Sequence, residues 1–182
     1  MKKWISLLLC LTLLLSLTAC GMGDAGETTV IATAEPAQTE PTQAESASAD
    51  GIYTVSTPDE FIDAIGSDRT IHVSGGTLDL STARSYGKDT GNEKCAWEEE
   101  FDGYQLVIHD VKNLTITGDG KVATEIATQP RYAQVLYLRS CENVALSGFT
   151  AGHTPEAGSC VGGVVYLEGC TGVSIRDVGL YG

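Results

Sequence analysis

Three stretches of the chain align without a gap: QLVIHDVKNLTITG (105–118), VLYLRSCENVALSG (135–148) and VVYLEGCTGVSIRD (164–177). Their starts are offset by 30 and then 29 residues. Self-similarity at a fixed period of this size restricts a chain to stacked repeats, because one unit cannot bury its apolar face alone. Each copy holds two short alternating runs. Leu106/Ile108, Leu136/Leu138 and Val165/Leu167 occupy matching positions in the first run, and Leu114/Ile116, Val144/Leu146 and Val173/Ile175 in the second. Spacing of two places each pair on one face of a strand. A helical repeat would space them three or four apart and would use less Val, Ile, Thr and Gly. Between the runs, Asn113, Asn143 and Gly172 share one position, and these residue types tolerate a left-handed backbone. The expectation is strand, corner, strand and return loop, with each strand paired to its copy in the next repeat.

The phrases NLTITG and NVALSG are similar to rungs of right-handed parallel β-helix proteins of the pectate-lyase-like superfamily, and the resemblance spans about Tyr53 to Gly182. It implies an all-β, right-handed parallel β-helix (a solenoid) over residues 52–182. It implies no one activity, since such a fold carries lyases, hydrolases, epimerases and binding proteins.

Ahead of the repeats, Tyr53-Thr54-Val55 reads as a first strand. Thr57-Pro58-Asp59-Glu60 reads as a helix start, with Thr57 as N-cap, Pro58 at the first position and Glu60 closing a capping box. Phe61, Ile62 and Ile65 then share a face, and Gly66 is the expected stop. This short helix would cap the first rung, made of Ile71/Val73 and Leu78/Leu80 around Gly75-Gly76. Residues 82–104 break the pattern and read as a polar, structureless insertion in which Trp97 packs and the acids Glu98, Glu99, Glu100 and Asp102 are solvated. Return loops fall at about 119–134 and 149–163. The pattern still runs at Gly182, so the solenoid is expected to be incomplete at its C-terminus or covered there by a partner.

The N-terminus, MKKWISLLLCLTLLLSLTAC, has two lysines and an apolar run, the plan of a secretory signal peptide. Leu17-Thr18-Ala19-Cys20 resembles the lipobox of bacterial lipoproteins. That resemblance implies cleavage before Cys20, a diacylglyceryl group on its sulfur, and export with a membrane anchor facing outward. Residues 21–51 are rich in Ala, Thr, Glu and Pro and read as a disordered acidic tether. The whole chain carries −13. With the two leader lysines and the six acids of residues 21–50 set aside, −9 remains on the folded part, which argues against nucleic acid as a partner.

Four cysteines remain beyond Cys20. Cys141 and Cys170 share a repeat position with Val111 and read first as a buried column of small side chains. Cys95 and Cys160 lie in loops and are a candidate disulfide, although four cysteines allow three pairings. No CxxC or HxxxH spacing suggests a metal, and no cofactor is expected. Calcium, which related lyases use, has no visible carboxylate cage here.

The outward positions of the first run stack as well: Tyr137 with Tyr166, and His109 with Arg139 and Glu168. Tyrosine rings can carry sugar faces and the charged groups can bond hydroxyls, so these five are the candidate ligand-binding residues. The competing reading is a solvated sheet face. Catalytic residues of the resembled family do not carry over, because no rung presents paired carboxylates there. Arg139 would act as a base only with its pKa lowered by calcium and substrate. The leading expectation is a cell-surface lipoprotein that binds carbohydrate or another cell-envelope ligand without catalysis. The alternatives are a polysaccharide lyase or glycoside hydrolase, and an adhesin or structural spacer.

Overall fold

The computed structural model describes residues 51–182. The leader, Cys20 and residues 21–50 of the tether lie outside the described residues. The strands are β1 (Ile52–Val55), β2 (Arg69–Val73), β3 (Gly76–Asp79), β4 (Cys95–Glu100), β5 (Gly103–His109), β6 (Lys112–Gly118), β7 (Thr124–Thr128), β8 (Leu136–Arg139), β9 (Glu142–His153), β10 (Val165–Glu168) and β11 (Ser174–Tyr181). One α-helix, α1 (Pro58–Ala64), accompanies them. The fold is all-β and is built on curled parallel sheets. Among the described residues no helix is long and apolar enough to cross a membrane.

The repeat pairs with itself. Strand β5 lies parallel to β8 and β8 to β10, in the order β10-β8-β5-β4. The second runs form β2-β6-β9, with β11 also on β9. Side chains of successive repeats become neighbours: Ile108, Leu138 and Leu167 form one row, and Ile71, Ile116, Leu146 and Ile175 another. A third row, Leu78, Ile126, Ala151 and Leu180, comes from β3, β7, the long β9 and β11, because part of the expected return loop at 119–134 is strand. These rows are the core, and their members are buried except the last of each. Leu167, Ile175 and Leu180 are 42%, 42% and 54% exposed.

The corners follow their residue types. Asp110, Ser140 and Gly169 open each corner with φ of 53°, 53° and 61°, and Asn113, Asn143 and Gly172 close it with φ of 54°, 56° and 66°. Asp68 (φ 59°) occupies the same closing position one repeat earlier, and the sequence alone did not single it out. The amides form a ladder: Asn143 Nδ2 donates to Asn113 Oδ1 at 2.8 Å, and Asn113 Nδ2 to Asp68 Oδ1 at 2.7 Å.

Helix α1 begins as expected. Glu60 N donates to Thr57 Oγ1, and Thr57 N and Ser56 N donate to the Glu60 carboxylate. Those bonds, the Ser56 amide first, hold the Glu60 carboxyl below its usual range. Phe61, Ile62 and Ala64 are buried against the first rows. The helix ends where expected, with Ile65 as C-cap and Gly66 just after it, but Gly66 has no left-handed backbone. Arg69 supplies the ending instead: its Nη1 donates to the carbonyls of Asp63, Ala64 and Ile65, placing a cation where the helix dipole is negative.

The expected structureless insertion is also corrected. Residues 95–100 form β4, antiparallel to β5, so the parallel sheet ends in a hairpin. Cys95 and Trp97 register with the core residues Ile108 and Leu106, which explains the strand: C-A-W alternates inward and outward. α1 packs on β1 and β2, and Asn92 Nδ2 donates to the carbonyls of Ile62 and Ile65.

Candidate ligand-binding surface

The outward face of β4, β5, β8 and β10 gathers Tyr137, Tyr166, Arg139 and Glu168, with Glu98 added from β4. Tyr137 and Tyr166 meet edge to face, centroids 4.9 Å apart and planes at 83°. They therefore do not form the flat platform the stacking suggested. Tyr137 is also only 7% exposed, whereas Tyr166 is 47% exposed. The Tyr137 ring is covered by the Tyr166 ring and by Arg139, whose guanidinium carbon sits 4.7 Å from the Tyr137 centroid. Its Nη1 and Nη2 reach Glu98 at 2.6 and 3.0 Å, its Nε reaches Glu168 at 2.9 Å, and Nη2 also donates to the Tyr137 hydroxyl at 2.8 Å. The Tyr137 hydroxyl in turn donates to Glu168. The Arg139–Glu98 pair crosses β5 at the level of Val107, which is fully buried.

The electrostatics follow from these bonds. Glu98, then Tyr137 and Glu168, raise the pKa of Arg139, the opposite of what a base requires. The Tyr137 hydroxyl, then Arg139, lowers the Glu168 carboxyl. The bond to Glu168, then burial, raises the Tyr137 phenol. His109 turns away to its own corner, with Nδ1 3.0 Å from Asp110 Oδ2. Of the five candidate residues, Tyr137, Arg139 and Glu168 are locked together with Glu98, Tyr166 packs on Tyr137 and keeps an exposed ring face, and His109 stands apart.

A second feature lies where the hairpin turn meets the return loops. An open cleft of about 480 Å³ is lined by Tyr86, Asp102, Gly103, Gln129, Pro130, Arg131 and Glu156, among others. Asp102, expected to be merely solvated, organises the loop: its carboxylate accepts from Arg131 N at 2.8 Å and Tyr132 N at 3.2 Å. Gly103 allows the close approach, since a Cβ there would lie 2.5 Å from both Pro130 Cγ and the Tyr86 hydroxyl oxygen. Beside the cleft, Phe101 is 86% exposed and lies 5.1 Å from the Tyr132 ring at 57°, with the Arg131 guanidinium 5.6 Å from Tyr132. Sequence reading missed this group because its members come from three loops outside the repeat. An unpaired aromatic on the tip of an acidic turn was the available signal.

Among the described residues, no group of three or more His, Cys, Asp or Glu side chains is placed to hold a metal ion. The candidate Cys95–Cys160 bond is not made. Cys95 is a buried thiol beside the Ile62 carbonyl, pushed up to about 11 by burial, and Cys160 is a free thiol in the loop before β10. β4 and β10 are opposite edges of a four-stranded sheet. Comparison with protein-family models, curated proteins and solved structures returned no match.

Proposed function

We propose that the chain is a surface lipoprotein whose folded part is a right-handed parallel β-helix binding carbohydrate of the cell envelope or its surroundings, without turnover. The parallel pairing at offsets of 29 and 30 residues supports the β-helix, and the lipobox-like Leu17–Cys20 supports the anchor. The observation that carries the ligand reading is the exposed Phe101, packed on a half-buried Tyr132, beside a cleft with Gln129, Arg131 and Glu156. Sugars present apolar ring faces edged by hydroxyls, and an aromatic wall beside mixed donors and acceptors is the complementary surface. An exposed large aromatic next to a polar cleft is also less ordinary than a tyrosine on a sheet.

The test is a glycan array probed with the chain and with a Phe101→Ala/Tyr132→Ala variant. Binding to a saccharide class that weakens about tenfold or more in the variant supports the reading, as expected for aromatic anchors. Equal binding by both proteins, or none, contradicts it. The same saccharides incubated with the chain should yield neither unsaturated products by absorbance nor new reducing ends.

A further inference from the structure

Cys141 and Cys170 sit one repeat apart at the same corner position, 29 residues apart in sequence and adjacent in space. The backbone fixes their register. Glu142 bridges Thr171 in parallel, Thr171 N donates to the Cys141 carbonyl at 2.9 Å, and Asn143 N donates to the Thr171 carbonyl at 2.8 Å. Neighbouring strands are about 4.8 Å apart, inside the range of about 4.4–6.8 Å that disulfides span between Cα atoms. Both side chains point to one interior: Cys141 is buried in the core and Cys170 packs against it. The Cys170 sulfur already leans toward the earlier repeat, accepting from Cys141 N at 3.4 Å and lying 3.2 Å from the Leu138 carbonyl. The Cys141 sulfur leans one repeat further back, 3.5 Å from the Ile108 carbonyl, so forming the bond requires it to turn toward Cys170.

We propose that Cys141 and Cys170 are an oxidisable pair whose disulfide fastens the repeat of β10 and β11 to the repeat of β8 and β9. The oxidant is a disulfide, either a small molecule such as oxidised glutathione or that of a thiol oxidase. The Cys170 thiol, the more exposed of the two, loses its proton and attacks this disulfide. A mixed disulfide forms and one thiolate leaves, taking up a proton. The Cys141 thiol then loses its proton and attacks the Cys170 sulfur, and the second thiolate leaves protonated. Two cysteines are oxidised and one external disulfide is reduced to two thiols. The bond would clip the last rows, whose residues Leu167 and Ile175 are half exposed, to their buried partners Leu138 and Leu146. This inference is independent of the ligand reading, and export bears on it only as the source of oxidant.

The full chain is equilibrated with oxidised and reduced glutathione, alkylated and cut after glutamate. Cleavage at Glu142, Glu156 and Glu168 puts Cys141, Cys160 and Cys170 on separate peptides. The expected result is a Cys141–Cys170 peptide pair, two hydrogens lighter than the separate peptides and split by dithiothreitol. In Cys141→Ser, Cys170 is expected to stop at the mixed disulfide with glutathione. Cys141 and Cys170 both recovered alkylated, or Cys170 joined to Cys160 or Cys95, would overturn the proposal.

Discussion

Arg139 reaches across strand β5 to hold both carboxylate oxygens of Glu98, at 2.6 and 3.0 Å. The same side chain screens the Tyr137 ring while Tyr166 stays open. Nitration by tetranitromethane, mapped by mass spectrometry, should therefore label Tyr166 well before Tyr137. Arg139→Ala should raise Tyr137 labelling several-fold and leave Tyr166 little changed. An unchanged order in the variant would mean that something other than Arg139 protects the ring.

The pH limits of stability follow from the shifted groups. Glu60, Glu125 and Glu168 all have folded pKa values below the unfolded value of about 4.3. Their contributions are present above that unfolded value and are lost as pH falls through the lower folded values. Tyr137 and Tyr181 are raised, Tyr137 chiefly by its bond to Glu168 and Tyr181 chiefly by burial. Their contributions are present below about pH 10 and are lost as pH rises through the folded values. Urea midpoints should thus fall below about pH 4.3 and above about pH 10. Glu60→Gln should flatten the acid limb and spare the alkaline one, whereas Glu125→Gln, which also removes the charged acceptor of the Tyr181 hydroxyl, should flatten both. An acid limb equally steep in both variants would refute the assignment.

Burial predicts unequal costs along one row. Ile116 and Leu146 are fully buried, whereas Ile175 beside them is half exposed. Leu146→Ala should cost about 2–5 kcal/mol in urea unfolding. Ile175→Ala should cost about 1 kcal/mol or less, because the surface it covers is already in water. Equal losses would show that the last position of the row is as buried as the middle.

At the corner, Asn143 has φ 56° and Gly172 takes its place in the next repeat. Asn143→Gly should be tolerated apart from the ladder bond to Asn113. Asn143→Val should cost about 1–2 kcal/mol more, the expense of a left-handed backbone with a branched side chain. If Val proves no worse than Gly, the corner is not left-handed in solution. By similar logic Thr57→Ala, which removes the acceptor for Glu60 N, should cost about 1 kcal/mol.

What the sequence made legible is what repeats. Period-two alternation and a fixed offset put Ile108, Leu138 and Leu167 in one row, and Asn or Gly at one position marked the left-handed corners. The capping box at Thr57–Glu60 was readable because both partners lie within one turn. What escaped depends on partners distant in sequence or on side-chain direction. Strand β4 exists because Cys95 and Trp97 find core opposite them, and its acidic second half obscured that. Arg69 took over the role assigned to Gly66 because it arrives from the following strand. Tyr137 occupies the expected column, but its burial depends on how Arg139 folds over it, which no spacing encodes.

The most direct test of the central claim, that residues one period apart lie in contact, is methyl NMR on selectively labelled Ile, Leu and Val. Contacts between the methyls of Leu138 and both Ile108 and Leu167, and of Leu146 with Ile116 and Ile175, are the predicted result. Assigned spectra in which Leu138 and Leu146 show no contact with these residues would contradict the stacking and everything argued from it.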